Sequence, residues 1–104
     1  MHPLMNNTKW DEIWSLPYNA PGPIFWRVKY LNSDEITPWS DDWHKSESLF
    51  HLWKEIEWME IRFENNKKEI IEDLMKVHVP GYYDDFSAKI IGYSSSFESI
   101  DYIR

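Results

Sequence analysis

One histidine, His44, lies among carboxylates at a spacing that could hold a metal ion or support acid/base catalysis. Asp41 and Asp42 precede it in a polar turn, and Glu47 follows it three residues later. Imidazole nitrogen and carboxylate oxygen are common zinc ligands, so a small metal-dependent hydrolase is one hypothesis. His51 lies seven residues further on, which does not match the i, i+4 pairing of helical zinc motifs. Histidine and carboxylates also occur in many polar turns that have no function.

Other catalytic patterns are missing from the sequence. A run of three serines, residues 94–96, lacks the Gly-x-Ser-x-Gly elbow of hydrolases. Three glycines are too few for a phosphate loop or a dinucleotide fingerprint, and the lack of cysteine excludes thiolate zinc sites and cysteine nucleophiles. Glu57 and Glu60 could imitate a glycosidase pair, but a regular strand would point them to opposite faces. We therefore expect no enzymatic activity, no cofactor and no metal.

Tryptophan and negative charge are concentrated in the same part of the chain. Residues 33–60 hold four of the seven tryptophans. With eight carboxylates against two lysines, they also hold six of the seven net negative charges. Trp39 and Trp43 stand beside acids in turn-like sequence, where half-exposed rings often anchor interfaces; packing over the end of a sheet is the alternative. Rings among carboxylates suit a basic protein partner, whereas net acidity disfavours direct nucleic-acid binding.

The predicted partner-binding surface combines this acidic and aromatic segment with a second patch in a predicted loop. Its residues are Trp39, Asp41, Asp42, Trp43, Glu47, Glu57, Glu60, Tyr82, Tyr83, Asp84 and Asp85. The alternative is a housekeeping interaction module whose acidity serves only solubility.

The periodicity of apolar residues predicts the elements that position these side chains. Alternation predicts strands over residues 24–31, 57–63 and 86–93 and a short edge strand or extended piece over residues 36–39. Helical spacing predicts one helix that starts at Thr8 as its N-cap and another over residues 67–78. Residues 46–56 fit a helix or a buried strand, with helix preferred, and residues 97–103 fit an edge strand or a tail.

These elements add up to an α+β fold in a single domain over residues 1–104. We expect an antiparallel sheet of about four strands with two or three helices packed on one side. Residues 1–6 are expected to be a disordered N-terminus. The start of the chain lacks a signal-peptide pattern, and no run approaches the roughly 20 apolar residues of a membrane span. The sequence thus predicts a soluble cytoplasmic protein that does not bind membranes.

Several short motifs are distributed along most of the chain. They are Asn7-Thr8-Lys9-Trp10-Asp11-Glu12-Ile13, Trp26-Arg27, Pro38-Trp39 with Trp43, Ile56-Glu57-Trp58-Met59-Glu60-Ile61, His78-Val79-Pro80-Gly81 and Ile91-Gly92-Tyr93. In these motifs the chain resembles a family of small bacterial proteins of unknown function. Members of that family carry further aromatic residues directly after the position of Trp43, where this chain has His44-Lys45-Ser46. The resemblance implies domain boundaries and no activity.

In size, acidity and cytoplasmic character the chain is also similar to the immunity proteins that neutralise bacterial toxins. This second likeness is one of type and has no motif behind it. The resulting hypothesis is an immunity protein that binds a cognate toxin domain, expected to be a basic nuclease. Acidic and aromatic side chains would provide the complementary surface.

Overall fold

Four strands form one antiparallel sheet, which confirms the predicted α+β class. The computed structural model describes residues 2–16, 20–43, 55–94 and 100–103. Its elements are β1 (His2–Pro3), α1 (Asn7–Trp14), β2 (Phe25–Tyr30), β3 (Ile56–Arg62), α2 (Lys67–Val77), β4 (Gly81–Tyr83), β5 (Ser87–Ile91) and β6 (Tyr93–Ser94). The sheet order is β2-β3-β5-β4, and β1 pairs separately with β6. The helices in the described ranges are α1 and α2, so a third predicted helix, over residues 46–56, lies largely outside them.

One face of the sheet lies in the hydrophobic core. Val28, Met59 and Ile90, one from each of β2, β3 and β5, are fully buried. Ile13 of α1 and Leu74 of α2 are also fully buried and belong to the same cluster. Burial of each such side chain stabilises the fold by about 1.5–3 kcal/mol. Both helices therefore pack on this face, which we call the core face; the other is the second face.

Residues 2–6 make backbone contacts with the end of the sheet and with α1. His2–Pro3 pairs with Tyr93 and Ser94, and the Leu4 amide donates to the Gly92 carbonyl at 2.8 Å. Asn6 then caps α1, because its Oδ1 accepts from the Lys9 amide at 2.8 Å. The N-cap thus lies two residues before the predicted cap at Thr8. These backbone hydrogen bonds hold a segment whose composition gives no sign of order.

An extended segment over residues 36–40 lines the outer edge of β2, where the sequence predicted a short edge strand or extended piece over residues 36–39. Ile36 bridges to Lys29 and Ser40 bridges to Trp26, both in antiparallel fashion. Between them, the Thr37 hydroxyl accepts from the Val28 amide at 3.0 Å. Pro38 cannot donate to a ladder, so the pairing stays irregular and ends the sheet on this side.

The opposite edge of the sheet differs from the prediction. Residues 82 and 83 were expected in a loop, but β4 pairs with β5 in the register Tyr82 to Lys89 and Tyr83 to Ala88. The end of the chain packs beside β4, since Pro80 bridges to Tyr102 and Ile103 is 3% exposed. Residues 101–103 are therefore neither a free tail nor a full strand.

Candidate functional site

Trp43 belongs to the core, which corrects its predicted role as an exposed anchor. Its side chain is 8% exposed, and its indole Nε1 donates to the Trp14 carbonyl at 2.9 Å. Its ring also meets Trp26 edge to face, with centroids 6.4 Å apart. The other interpretation of the sequence, in which the ring packs over the end of the sheet, fits the position of Trp43. A buried ring with a satisfied N–H offers no surface to a partner.

Asp41 and Asp42 are exposed directly before this buried ring. The Asp42 amide donates to the Ser40 hydroxyl at 3.1 Å, and the Asp42 carbonyl accepts from Trp26 Nε1 at 3.3 Å. The backbone of the turn is thereby held while the side chains lie at the surface. His44 and Glu47, the remaining members of the predicted metal cluster, lie outside the described residues. Within the described ranges, no group of three or more histidine, aspartate or glutamate side chains could hold a metal ion.

Glu57 and Glu60 lie on the same face of the sheet, so the prediction of opposite faces is wrong. Lys29 pairs with Trp58 and Tyr30 pairs with Ile56, which makes Glu57 the extra residue of a β-bulge. The bulge breaks the alternation and turns Glu57 to the second face. There Glu57 forms an ion pair with Lys29 at 2.5 Å, and Glu60 forms one with Arg27 at 2.6 Å.

These ion pairs limit what the two glutamates can offer to a partner. Each carboxylate side chain is 16% exposed, and Glu60 also accepts from the Ser87 hydroxyl at 3.2 Å. Their negative charge is largely balanced inside the protein. A partner would have to break these ion pairs and hydrogen bonds to use the charge, which costs free energy.

Trp39 is half-buried and lies against two cations of the second face. The Arg27 guanidinium carbon is 4.4 Å from the centroid of its ring, and that of Arg62 is 5.2 Å away. Arg62 also lies 4.4 Å from the centroid of Phe25. Phe25, Arg27, Trp39 and Arg62 thus form one cluster. Its two arginines form ion pairs with Glu60 and Glu64, which balance their positive charge.

Tyr82, Tyr83, Asp84 and Asp85 lie in the hairpin that joins β4 to β5. The Asp84 carboxylate accepts from the amides of Phe86 and Ser87 at 2.7 and 2.9 Å and closes the turn. These two backbone hydrogen bonds, with a smaller contribution from Lys67, hold the pKa of Asp84 below its ordinary value. Asp85 pairs with Lys67 at 3.1 Å while its side chain stays 89% exposed. The hairpin thus displays two carboxylates on a rigid turn.

Exposed apolar side chains gather around the same hairpin. Five large hydrophobic residues are exposed in the described part of the chain: Ile36, Met75, Tyr82, Tyr83 and Phe86. The last four lie on or beside the hairpin, and Phe86 and Tyr82 are 76% and 60% exposed. Met75 and Tyr83 also line a groove of about 420 Å³ between α2 and β4. Phe86 and Met75 gave no sign of exposure in the sequence, because Phe86 belongs to a predicted strand and Met75 to the apolar face of a predicted helix.

The two acidic pairs lie at the same end of the sheet. Antiparallel order places the start of β2 and the end of β4 together at this end. Asp41 and Asp42 follow Ser40, which bridges to Trp26 near the start of β2, and Asp84 and Asp85 follow β4. Four strand spacings of about 4.8 Å put the two pairs roughly 19 Å apart at opposite edges. The two predicted acidic patches therefore lie at the same end of the sheet but are separate surfaces.

Comparison with known proteins gives a match to one family model and no functional name. Residues 1–97 match the model of a family described as a family of unknown function, DUF6678. No curated protein and no solved structure matches the chain. In the ranges that the structure describes, neither helix has the length and apolar content needed to cross a membrane.

Proposed function

The chain belongs to this family of unknown function, and from its own surface we propose that it is a protein-binding module whose partner is a cognate toxin domain that it neutralises. We further propose that it acts in the cytoplasm, which its lack of cysteine suits. Binding is expected to be tight, 1:1 and without turnover. The contact surface is the β4–β5 hairpin with the adjoining side of α2, which we call the hairpin surface.

One observation carries this proposal: the concentration of exposed apolar side chains at one edge of a small domain. Tyr82, Tyr83, Phe86 and Met75 are all exposed there. Clusters of exposed aromatic residues and methionine are typical of protein interfaces, where a few aromatic side chains contribute most of the binding free energy. Solvated edge strands usually carry charged residues instead, because exposed apolar edges invite association.

Charge favours a basic partner. Asp84 and Asp85 lie within the hairpin surface, and Asp41 and Asp42 lie at the same end of the sheet. The chain as a whole carries a net charge of −7. Opposite charge on the partner would raise the association rate and make binding sensitive to salt. Glu57 and Glu60 do not belong to the proposed surface because their ion-paired side chains are only 16% exposed, whereas Asp85 stays 89% exposed beside Lys67.

The test begins with the protein encoded immediately upstream, because immunity genes normally follow their toxin genes. Its affinity for the chain is measured by isothermal titration calorimetry, with Tyr82→Ala and Phe86→Ala as variants. Each substitution is expected to cost about 2 kcal/mol, or roughly 30-fold in Kd, if the residue is a hot spot.

Ile36→Ala is the matched control, since Ile36 is 46% exposed at the opposite edge of the sheet. It should leave the affinity unchanged. If both hairpin variants bind like the wild type, or Ile36→Ala weakens binding as much, the proposed surface is wrong. If the upstream protein does not bind and its activity is unaffected, the toxin proposal fails.

A further inference from the structure

The exposed tyrosines of the hairpin surface lie on opposite sides of the sheet. Tyr82 pairs with Lys89, which lies beside Glu60 on the second face. Tyr83 pairs with Ala88, which is buried in the core face. Because successive residues of a strand point to opposite faces, the two rings project in opposite directions, and they are 60% and 39% exposed. A partner that lay flat against one side of the hairpin would therefore leave one ring in water.

The ring of Tyr82 is accessible on the second-face side. Lys89 is its neighbour across the ladder, and the Lys89 ammonium lies 4.1 Å from the centroid of the Trp58 ring. Trp58 belongs to β3, on the side of β5 away from β4. The long side chain next to Tyr82 is therefore turned towards the middle of the sheet and leaves this ring to a partner.

The ring of Tyr83 forms a wall of the groove of about 420 Å³ between α2 and β4. Ile71 and Met75 line the same groove from α2, and Met75 is 38% exposed. The Lys67 ammonium lies 5.8 Å from the centroid of the Tyr83 ring and 3.1 Å from the Asp85 carboxylate. The groove is therefore apolar along α2 and is bordered by an ion pair beside the turn.

The turn between the two sides, which we call the tip, is held by backbone hydrogen bonds. The Phe86 amide donates to the Asp84 carboxylate at 2.7 Å, and the Phe86 carbonyl accepts from the Phe63 amide at 2.8 Å. The Asp84 amide also donates to the Ser87 carbonyl at 3.0 Å. The side chain of Phe86 remains 76% exposed. A ring displayed by a backbone that is already ordered loses little conformational freedom on binding, which favours insertion into a partner.

We propose that the hairpin inserts, tip first, into a cleft of the toxin partner. Tyr82 would pack against one wall of the cleft, Tyr83 against the other, and Phe86 would enter its closed end. This inference rests on the proposed function and adds the shape and chemistry of the partner's surface. Insertion buries exposed apolar side chains on both sides of β4 at once, which no flat contact can do.

Charge at the tip indicates what the closed end of the cleft must carry. Asp84 and Asp85 lie in the turn, and Lys67 pairs with Asp85, so the tip has an excess of one negative charge. Along the groove the charges of Lys68 and Glu72 cancel. Apolar walls with lysine or arginine at the closed end would therefore complement the hairpin.

Hydroxyl-radical footprinting tests insertion without any substitution. The chain is oxidised alone and in complex with the protein encoded immediately upstream, and the modified residues are quantified by mass spectrometry. Oxidation of both Tyr82 and Tyr83 is expected to fall on binding. Ile36, which is 46% exposed at the opposite edge of the sheet, is the internal control and should keep its rate. Protection of only one of the two tyrosines would overturn the cleft and leave the hairpin surface and the toxin partner standing.

Affinity provides an independent measurement. Tyr82→Ala and Tyr83→Ala are each expected to raise the Kd by about ten-fold or more, since each removes the ring that meets one wall. Tyr82→Phe is the matched control, because it keeps the ring and should retain the affinity. Urea denaturation shows whether each variant is folded. A loss confined to one tyrosine would contradict insertion, and no binding by the upstream protein would overturn both the toxin partner and the cleft.

Discussion

Trp26 and Trp43 meet edge to face, with ring centroids 6.4 Å apart and ring planes at 87°. Trp26 lies in β2, and Trp43 follows the exposed pair Asp41 and Asp42. Each indole N–H donates to a backbone carbonyl, of Asp42 and Trp14 respectively. Aromatic pairs in this geometry are worth about 0.5–1.5 kcal/mol beyond their buried area. The contact thus joins the acidic turn to both β2 and α1.

Trp43→Ala is therefore expected to destabilise the fold by about 3–5 kcal/mol, because it removes a buried ring and leaves the Trp14 carbonyl without its donor. Chemical denaturation monitored by circular dichroism measures this loss. Trp39→Ala is the comparison, since its half-buried ring lies against Arg27 and Arg62 of the second face; we expect a loss of about 1 kcal/mol there. Equal losses in the two variants would contradict the division of the tryptophans into core and surface.

Much of the architecture follows from hydrophobic periodicity. The alternation of Trp26 and Val28 with Arg27 and Lys29 predicted β2 and its buried face, and both are confirmed. The spacing of apolar residues over 67–78 predicted α2, which spans Lys67–Val77. Such patterns suffice where an element is long enough to bury one continuous face.

The failures of prediction come from local departures from that pattern. A single extra residue at Glu57 reverses the alternation, and periodicity cannot show a bulge. Trp43 is buried through contacts with residues distant in sequence, so its polar neighbours gave the wrong indication. Tyr82 and Tyr83 pair in a strand of three residues, too short for alternation to be recognised. The hairpin surface could therefore be recognised only from the three-dimensional structure.

Asn66 joins two turns through three hydrogen bonds and is fully buried. Its amide Nδ2 donates to the carbonyls of Pro21 and Pro23 at 3.0 and 3.1 Å, and its Oδ1 accepts from the Glu64 amide at 2.9 Å. Asn66→Ala removes all three and should cost about 1–3 kcal/mol. Asn66→Asp should cost more at neutral pH, because it buries a carboxylate against two carbonyl oxygens.

The two Asn66 variants also differ in their expected pH dependence. Burial raises the pKa of the introduced carboxyl group above its unfolded value, so its penalty is smallest below the unfolded pKa of about 3.9 and grows as pH rises through the folded pKa. Free energies of unfolding from urea titrations at several pH values, each compared with the wild type, test this. Parallel curves for Asn66→Ala and Asn66→Asp would contradict the assigned donor role of Nδ2.

Gly92 allows β3 to approach the end of β5. A Cβ atom at this position would overlap the Ile56 carbonyl oxygen, while the Gly92 amide donates to the Glu57 carbonyl at 2.8 Å. Gly92→Ala should therefore destabilise the protein by about 2 kcal/mol or more. The loss is measured as a decrease in the melting temperature. Gly22→Ala is the control: its φ of 78° costs about 1–2 kcal/mol, but the nearest atom is 4.0 Å away. A larger shift for Gly22→Ala would be inconsistent with the steric role.

The Asp84 carboxylate stabilises the hairpin that carries the proposed binding surface. It accepts hydrogen bonds from the amides of Phe86 and Ser87, and these bonds favour its ionised form and lower its pKa. A group with a lowered folded pKa contributes stability above its unfolded pKa and loses it as pH falls through the folded pKa. The hairpin should therefore be held most firmly at neutral pH.

Asp84→Asn should for this reason destabilise the protein at pH 7, with a difference from the wild type that shrinks as pH falls from about 5 towards 3. The neutral amide can still accept a hydrogen bond, but more weakly than the carboxylate. Urea denaturation across this pH range measures the difference. Asp85→Asn removes the same charge from a side chain that is 89% exposed, and it controls for net charge. If the two variants lose the same stability with the same pH profile, the turn hydrogen bonds of Asp84 do not hold the hairpin.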